Sequence, residues 1–382
     1  MESSVVVFFR KKWNKALILV FLLSLLFLVM LIFQTQQKKD LRQIILSCKV
    51  SSNVVECWQK AIQGSIGETF DLIEYMYAKD SHFAASCHGL THELGKQAYI
   101  RFQNDKESVF SQKANYCGYG FYHGFMEELL HTSRDITEAQ LFCSMAQQRL
   151  AKYTKDAEGA CYHGIGHGLV EDVPARESWG DAQKIIKPGI DLCEEVTDSK
   201  IKLYRCMAGV FNAIEILISA EKYQLKNNPR DPFWLCRAQP YKYKEACYAQ
   251  FVVPVIHLVG RDYSRGVKYI DTIEEDQYAI PALESYIHER AKTDKNDYLG
   301  TIALCRGISR RFHLPCIGAY AKGFLKHGPP QNGYVKAIDF CGSDTLNHAE
   351  KLKCFWDVLS ILRVFYTVEK AKDICKSVDD EF

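Results

Sequence analysis

No Asn-x-Ser/Thr sequon occurs in the 382 residues, an absence unusual for an exported animal or plant domain of this size, so a bacterial envelope origin is favoured. There is no Cys-x-x-Cys, which removes a thioredoxin-type site and covalent haem attachment. His92-Glu93 does not begin a zincin His-Glu-x-x-His helix, because position 96 is Lys. A P-loop and a Gly-x-Ser-x-Gly elbow are both missing, and the glycines of 118–124 are too irregular for a dinucleotide fingerprint. The net charge of +2, with no basic stripe interleaved with aromatics, argues against nucleic acid as a partner. Alternating β-branched runs are scarce; residues 252–259 are the best strand candidate, and Pro254 weakens it. The acidic run 271–276 lacks the glycine and spacing of a calcium loop and reads as solvated.

What is present begins with an uncharged apolar run over 16–33, interrupted only by Ser24. Its 18 residues are near the lower limit for crossing a hydrocarbon core. Arg10, Lys11, Lys12 and Lys15 precede it, whereas Lys38, Lys39 and Arg42 follow with Asp40 among them, which places the N-terminus in the cytoplasm. The rival is a cleavable signal peptide, but Gln34-Thr35-Gln36-Gln37 offers no small-x-small cleavage site. The expected order is a cytoplasmic tail (1–15), a transmembrane signal anchor (16–33), a membrane-proximal helix or stalk (34–47) and an exported α-helical repeat domain (48–382).

Fifteen cysteines in an exported chain point to disulfides, and they follow a grammar. Cys48, Cys143, Cys193, Cys236, Cys305, Cys341 and Cys375 close short apolar segments, while Cys57, Cys87, Cys117, Cys161, Cys206, Cys247, Cys316 and Cys354 open new ones. Closer and opener alternate over much of the chain, as expected when a bridge clamps the loop between two helices. The pairs are then Cys48–Cys57, Cys143–Cys161, Cys193–Cys206, Cys236–Cys247, Cys305–Cys316 and Cys341–Cys354; Cys87 and Cys117 pair with each other. Cys375 is left over, available for an intermolecular contact.

Openers recur at intervals of 30, 30, 44, 45, 41, 69 and 38, most of which fit a two-helix unit. Apolar spacing of three and four over 70–79 and 282–292 supports helix. The fold class expected is all-α: disulfide-stapled helical-hairpin repeats, an α-solenoid or α/α toroid. The long interval holds an acidic segment, 271–290, read as an inserted helix with loops, and proline and glycine place loops near 174–189, 228–240 and 328–333.

Seven of the twelve histidines fall between residues 82 and 167, where three four-residue steps stand out. They are His88 and His92, His123 and Glu127, and His163 and His167. Such a step sets both side chains on one helix face, so three converging helices would offer up to six ligands for one or two metal ions. Imidazole with one carboxylate suits Zn, Cu or Fe without separating them. Glu93 and Glu128 are candidates for general base or for orienting a ligand, with Tyr119, Tyr122 and Tyr162 as further neighbours. Gly89, Gly120, Gly124, Gly164, Gly166 and Gly168 sit among them, as close packing of helix backbones would require. Glu93, His123, His167 and Asn212 each stand six residues after an opening cysteine, so Asn212 and Glu215 are expected on the same cavity.

The expectation is a membrane-anchored, metal-dependent hydrolase or oxidoreductase. The alternative is a non-catalytic repeat scaffold whose groove takes a peptide, glycan or partner protein. The bland reading of the histidines, as hydrogen-bonding residues in a polar core, would leave only that scaffold.

Overall fold

The computed structural model describes residues 20–31, 62, 65–79, 81–171, 174–329 and 331–378. The chain divides into two units, 1–68 and 69–382. In the first, residues 20–31 are helical and exposed. No helix among the described residues is long and apolar enough to cross a membrane. The rest of 16–33, the tail, the stalk and the Cys48–Cys57 pair lie outside the described residues.

All regular structure among the described residues is helical. The helix α1 (Ile66–Lys79), within which the second unit begins, is followed by α2 (Ser81–Phe102) and α3 (Gly120–Thr132). Hairpins follow: α4 (Ile136–Leu150) with α5 (Ala157–Glu171), α6 (Ala182–Val196) with α7 (Lys200–Ser219), and α8 (Trp234–Arg237) with α9 (Tyr241–Gln250). After a short α10 (Val253–Val259) come α11 (Tyr263–Ile270) with α12 (Asp276–Thr293), α13 (Tyr298–Gly307) with α14 (Arg310–His327), and α15 (Gly333–Cys341) with α16 (His348–Ser360). The short helices α17 (Leu362–Phe365) and α18 (Val368–Lys376) end the described chain.

The hairpins share recurring parts. Asp135, Asp181, Asp262 and Asp297 cap the first helices of four of them, each side chain accepting from a backbone N–H of the first turn. A cap of this kind contributes about 1 kcal/mol. The second helices pack on one another in sequence, α3 on α5, α5 on α7, α7 on α9, α9 on α12, α12 on α14 and α14 on α16, with α2 ahead of them on α3. This inner row carries the fully buried Phe121, Phe125, Phe211, Tyr286, Phe312 and Tyr320. Its far end returns to its beginning: the Tyr77 hydroxyl donates to the His327 carbonyl, Gln331 Nε2 to the Tyr116 hydroxyl at 2.9 Å, and Thr154 Oγ1 to the Val364 carbonyl at 2.7 Å.

Six bridges lie among the described residues: Cys143–Cys161, Cys193–Cys206, Cys236–Cys247, Cys305–Cys316 and Cys341–Cys354 each join a closer to an opener as the alternation requires, and Cys87–Cys117 joins the two openers it left over. Five of them tie the two helices of one hairpin, and Cys87–Cys117 ties α2 to the turn before α3. Cys375 is free and exposed. Loops this short make each bridge worth about 2–4 kcal/mol in the chain-entropy account.

Three local expectations are corrected. The loop expected over 174–189 gives way to α6 from Ala182, because the Asp181 cap and the buried Ile185, Ile186, Cys193 and Val196 define a helix that tolerates Pro188. Residues 253–259 form α10 rather than a strand, with Pro254 in the first turn, where its missing N–H costs no hydrogen bond. The segment 271–290 is no insertion: it contributes most of α12, which with α11 makes a full hairpin without a bridge, packed in the row between α9 and α14.

Candidate metal centre

The six sequence-predicted ligands come from three neighbouring helices of the inner row: His88 and His92 from α2, His123 and Glu127 from α3, His163 and His167 from α5. The helices approach at glycines. A Cβ on Gly124 would stand 1.8 Å from the His92 carbonyl oxygen, so α3 could not lie this close to α2 with any larger residue there.

Three of the imidazoles converge. Ligand atoms of His92, His123 and His167 all lie within 4.8 Å of one another. His123 stacks on His167 at 4.4 Å between ring centroids and on His163 at 5.0 Å. Glu127 joins the group through one oxygen: its Oε1 is 2.7 Å from His92 Nε2 and 3.1 Å from His167 Nδ1. Its Oε2 lies 3.4 Å from Lys96 Nζ, a contact the sequence reading did not anticipate.

Burial governs the charge states. The Glu127 carboxyl is only 8% exposed, which by itself would raise its pKa; hydrogen bonds from His167 and His92 outweigh this and hold it well below the usual carboxylate range. His123, 3% exposed, is pushed well below the ordinary imidazole range by burial first and then by His167 and His163 beside it. It is therefore neutral at physiological pH, the form in which imidazole binds a metal. Both of its ring nitrogens are buried and lack a hydrogen-bond partner among the described residues. A buried polar atom left unpaired costs roughly 1–3 kcal/mol, so His123 is a group that a ligand would stabilise.

The remaining predicted residues take other positions. The His88 Nδ1 lies 2.9 Å from the Cys117 carbonyl, and surrounding protein pushes its pKa down to about 4 although water reaches the ring. His163 lies beside Asn212, whose Nδ2 donates to Glu215 Oε1 at 3.0 Å. Glu93 faces Lys96 at 3.8 Å and so reaches Glu127 only through that lysine. Glu128 points elsewhere, accepting a long hydrogen bond from Thr132 and adding its charge to the surroundings of Tyr99. Tyr119 turns to Asp156 and Arg205, and Tyr162 to Lys202. The Tyr122 hydroxyl is buried with no partner among the described residues.

The interior also gathers basic residues from later hairpins: Arg205 on α7, His288 and Lys292 on α12, Lys326 and His327 on α14. The only sequence sign of them is Lys326-His327-Gly328, an echo of the Tyr-His-Gly phrases at Tyr122 and Tyr162. Comparison with protein-family models, with curated proteins and with solved structures gave no match to this chain.

Proposed function

We propose that this chain binds a transition-metal ion through His92, His123 and His167 and uses it in a metal-dependent reaction outside the cytosol. The unpaired, neutral and buried imidazole of His123 carries this reading. Three nitrogens within reach of one point, with no thiolate among them, suit Zn, Cu or Fe. Glu127 fixes the set by accepting from both His92 and His167, which orients the two rings and sets their tautomers. Its negative charge also offsets that of a bound cation.

A metal so held would polarise a substrate oxygen or lower the pKa of a bound water. The chain's own part is to hold the Glu127 carboxylate between His92 and His167, with Lys96 standing between it and Glu93 at the edge of the site. Six bridges support an oxidising extracytoplasmic compartment, and the apolar run 16–33 supports attachment to a membrane. The contacts joining the two ends of the inner row favour a closed α/α toroid over an open solenoid.

Metal content decides the proposal. The full chain, stripped with chelator and reloaded with Zn, Cu or Fe, is expected to retain about one equivalent by elemental analysis, and the His123→Ala chain far less. Retention below about a tenth of an equivalent with each of the three ions overturns it.

A further inference from the structure

Facing the histidine cluster, α12 and α14 present a second group of nitrogens that the metal reading does not use. The two helices meet closely: a Cβ on Gly323 would fall 3.1 Å from the His288 Cα and 2.5 Å from the Ala291 Cβ. Lys326 and His327 stand three and four residues beyond Gly323, one turn along the same face. Both ring nitrogens of His288 are buried without a hydrogen-bond partner among the described residues. The Nε2 of His327 is likewise without one, its nearest carboxylate oxygen being Glu289 Oε1 at 3.6 Å.

Lys326 is the centre of this group. It lies within electrostatic reach of Glu289, Lys292, Arg205 and Glu215, and of His163 on the histidine side. Among the described residues it has no carboxylate within ion-pair distance, whereas its cationic neighbours are already engaged. Arg205 pairs with Asp156 at 2.8 Å, and Lys292 with Glu289 at 3.4 Å. Burial lifts the Glu215 carboxyl to about 8, so at neutral pH it is mostly protonated and supplies little negative charge. Lys326 is half-buried, and an ammonium group partly withdrawn from water without a counter-ion is stabilised when a ligand brings one.

A cavity is in place for that ligand. Lys326 lines a cavity of about 280 Å³ whose walls include Tyr116, Tyr119, Tyr153, Gln331 and Tyr366. The other charged lining residues, Glu74 and Lys113, are paired with each other. Lys326 is thus the one lining charge without a partner among the described residues. Cys117, whose carbonyl contacts His88, lies in the same wall, so the cavity borders the histidine cluster.

We propose that this cavity binds a small anionic molecule, a carboxylate or phosphate ester with a planar or apolar body, its anionic group seated on Lys326. Tyrosine faces along the walls would take the body of the molecule. Binding of the anion stands on its own; that the anion is the substrate of the neighbouring metal rests on the metal reading above.

The test uses the full chain stripped of metal, titrated calorimetrically with inorganic phosphate and, separately, with benzoate. The two probes distinguish a phosphate-selective site from a carboxylate-selective one. At least one is expected to bind, and Lys326→Met to weaken it by about tenfold or more, as loss of a charge-assisted hydrogen bond does. Lys326→Arg should retain most of the affinity, and Lys187→Met, on the exposed face of α6, should leave it unchanged. Tyr153→Ala, which removes a wall of the cavity, gives a second variant should Lys326→Met fail to fold, and it is expected to weaken binding as well. No binding of either probe, or equal binding by the wild-type and both Lys326→Met and Tyr153→Ala chains, overturns the proposal. Anion binding by a chain that retains no metal after reloading with Zn, Cu or Fe would sink the metal reading and leave this one standing.

Discussion

Gly209 on α7 lies so close to α5 that a Cβ there would fall 1.9 Å from the His163 carbonyl oxygen and 2.8 Å from the His167 amide nitrogen. The site is therefore positioned by backbone contact between helices, and the helix bearing His163 and His167 cannot move independently of its neighbour. Gly209→Ala has to push the helices apart, and overpacking of this kind costs typically 1–3 kcal/mol or more. We expect a lower denaturation midpoint together with reduced metal retention. Gly89 is the control. It lies exposed in α2, where an added Cβ meets nothing within 4 Å. Gly89→Ala should be neutral or stabilise by up to about 1 kcal/mol through helix propensity. If both substitutions behave alike, close approach is not what positions the site.

The geometry also divides the six predicted ligands. His92, His123 and His167 share one point, while His163 lies beside Asn212 and His88 is engaged by the Cys117 carbonyl. Single alanine substitutions in the first set should each lower metal affinity by about tenfold or more, since loss even of a supporting group commonly costs 10–100-fold. His88→Ala and His163→Ala should keep the stoichiometry. Competition with a chromophoric chelator measures all five. Loss of stoichiometry in His163→Ala would instead mark a larger, two-metal site.

Much of this was legible in the sequence, for reasons particular residues show. A bridge needs one cysteine on each helix of a hairpin, and that need is what made Cys143 and Cys161, or Cys305 and Cys316, alternate visibly. The four-residue step between His163 and His167 carries its helix face on its surface. By contrast, α11 and α12 have no cysteine, so nothing local marked them as a hairpin of the same row. Pro188 and Gly189 read as loop because tertiary packing overrode their low helix propensity: Gly189 fits against Val170 and Val210. Lys326 and His288 stayed hidden for a different reason. Their proximity to the His123 cluster arises only when the far end of the inner row returns to Tyr77 and Tyr116, a contact between residues some 215 to 250 positions apart.

Glu215 makes a pH prediction. It is 2% exposed, and burial raises its carboxyl to about 8 despite hydrogen bonds from Val253 N and Asn212 Nδ2. Glu289 on α12 adds to the rise, and the Lys326 ammonium on α14 is the facing cation. A carboxyl with a raised folded pKa favours the folded state below its unfolded value of about 4.5. That advantage is lost as pH rises, because the unfolded chain releases its proton first. Between about pH 4.5 and pH 7 this group alone should remove about 3 kcal/mol of stability. The measurement is a series of denaturation midpoints across that range for the wild-type chain and for Glu215→Gln, which cannot ionise. The difference between them should shift steadily in favour of the variant with rising pH; parallel profiles refute the assignment.

The opposite sign is expected at the capping box that begins α16. Glu350 is completely buried, and Arg306 grips its carboxylate through Nε at 2.8 Å and Nη2 at 2.6 Å, with His313 Nε2 at 2.7 Å. The Glu350 side chain also accepts from the Asn347 backbone, closing the box. The Arg306 hydrogen bond, ahead of burial, holds the Glu350 pKa down to about 2. Stability from this group is therefore present above its unfolded pKa, and it drains away as pH falls from about 4.5 towards 2. Arg306→Ala removes the main partner of the Glu350 carboxylate and, because Arg306 is itself 44% exposed and His313 and the Asn347 N–H remain, should cost about 1–3 kcal/mol at neutral pH. The deficit should narrow in acid, where the Glu350 carboxyl takes up a proton. Adding Glu350→Gln to Arg306→Ala removes the charge and should recover part of the loss, although the capping box is then held by a neutral group. A deficit that does not change between neutral and acidic pH would mean that Arg306 acts by packing its aliphatic stem and not by pairing charge. Because this pair lies on α13 and α16, away from His92, His123 and His167, metal retention at neutral pH should be unaltered in every chain that still folds, which separates loss of fold from loss of site.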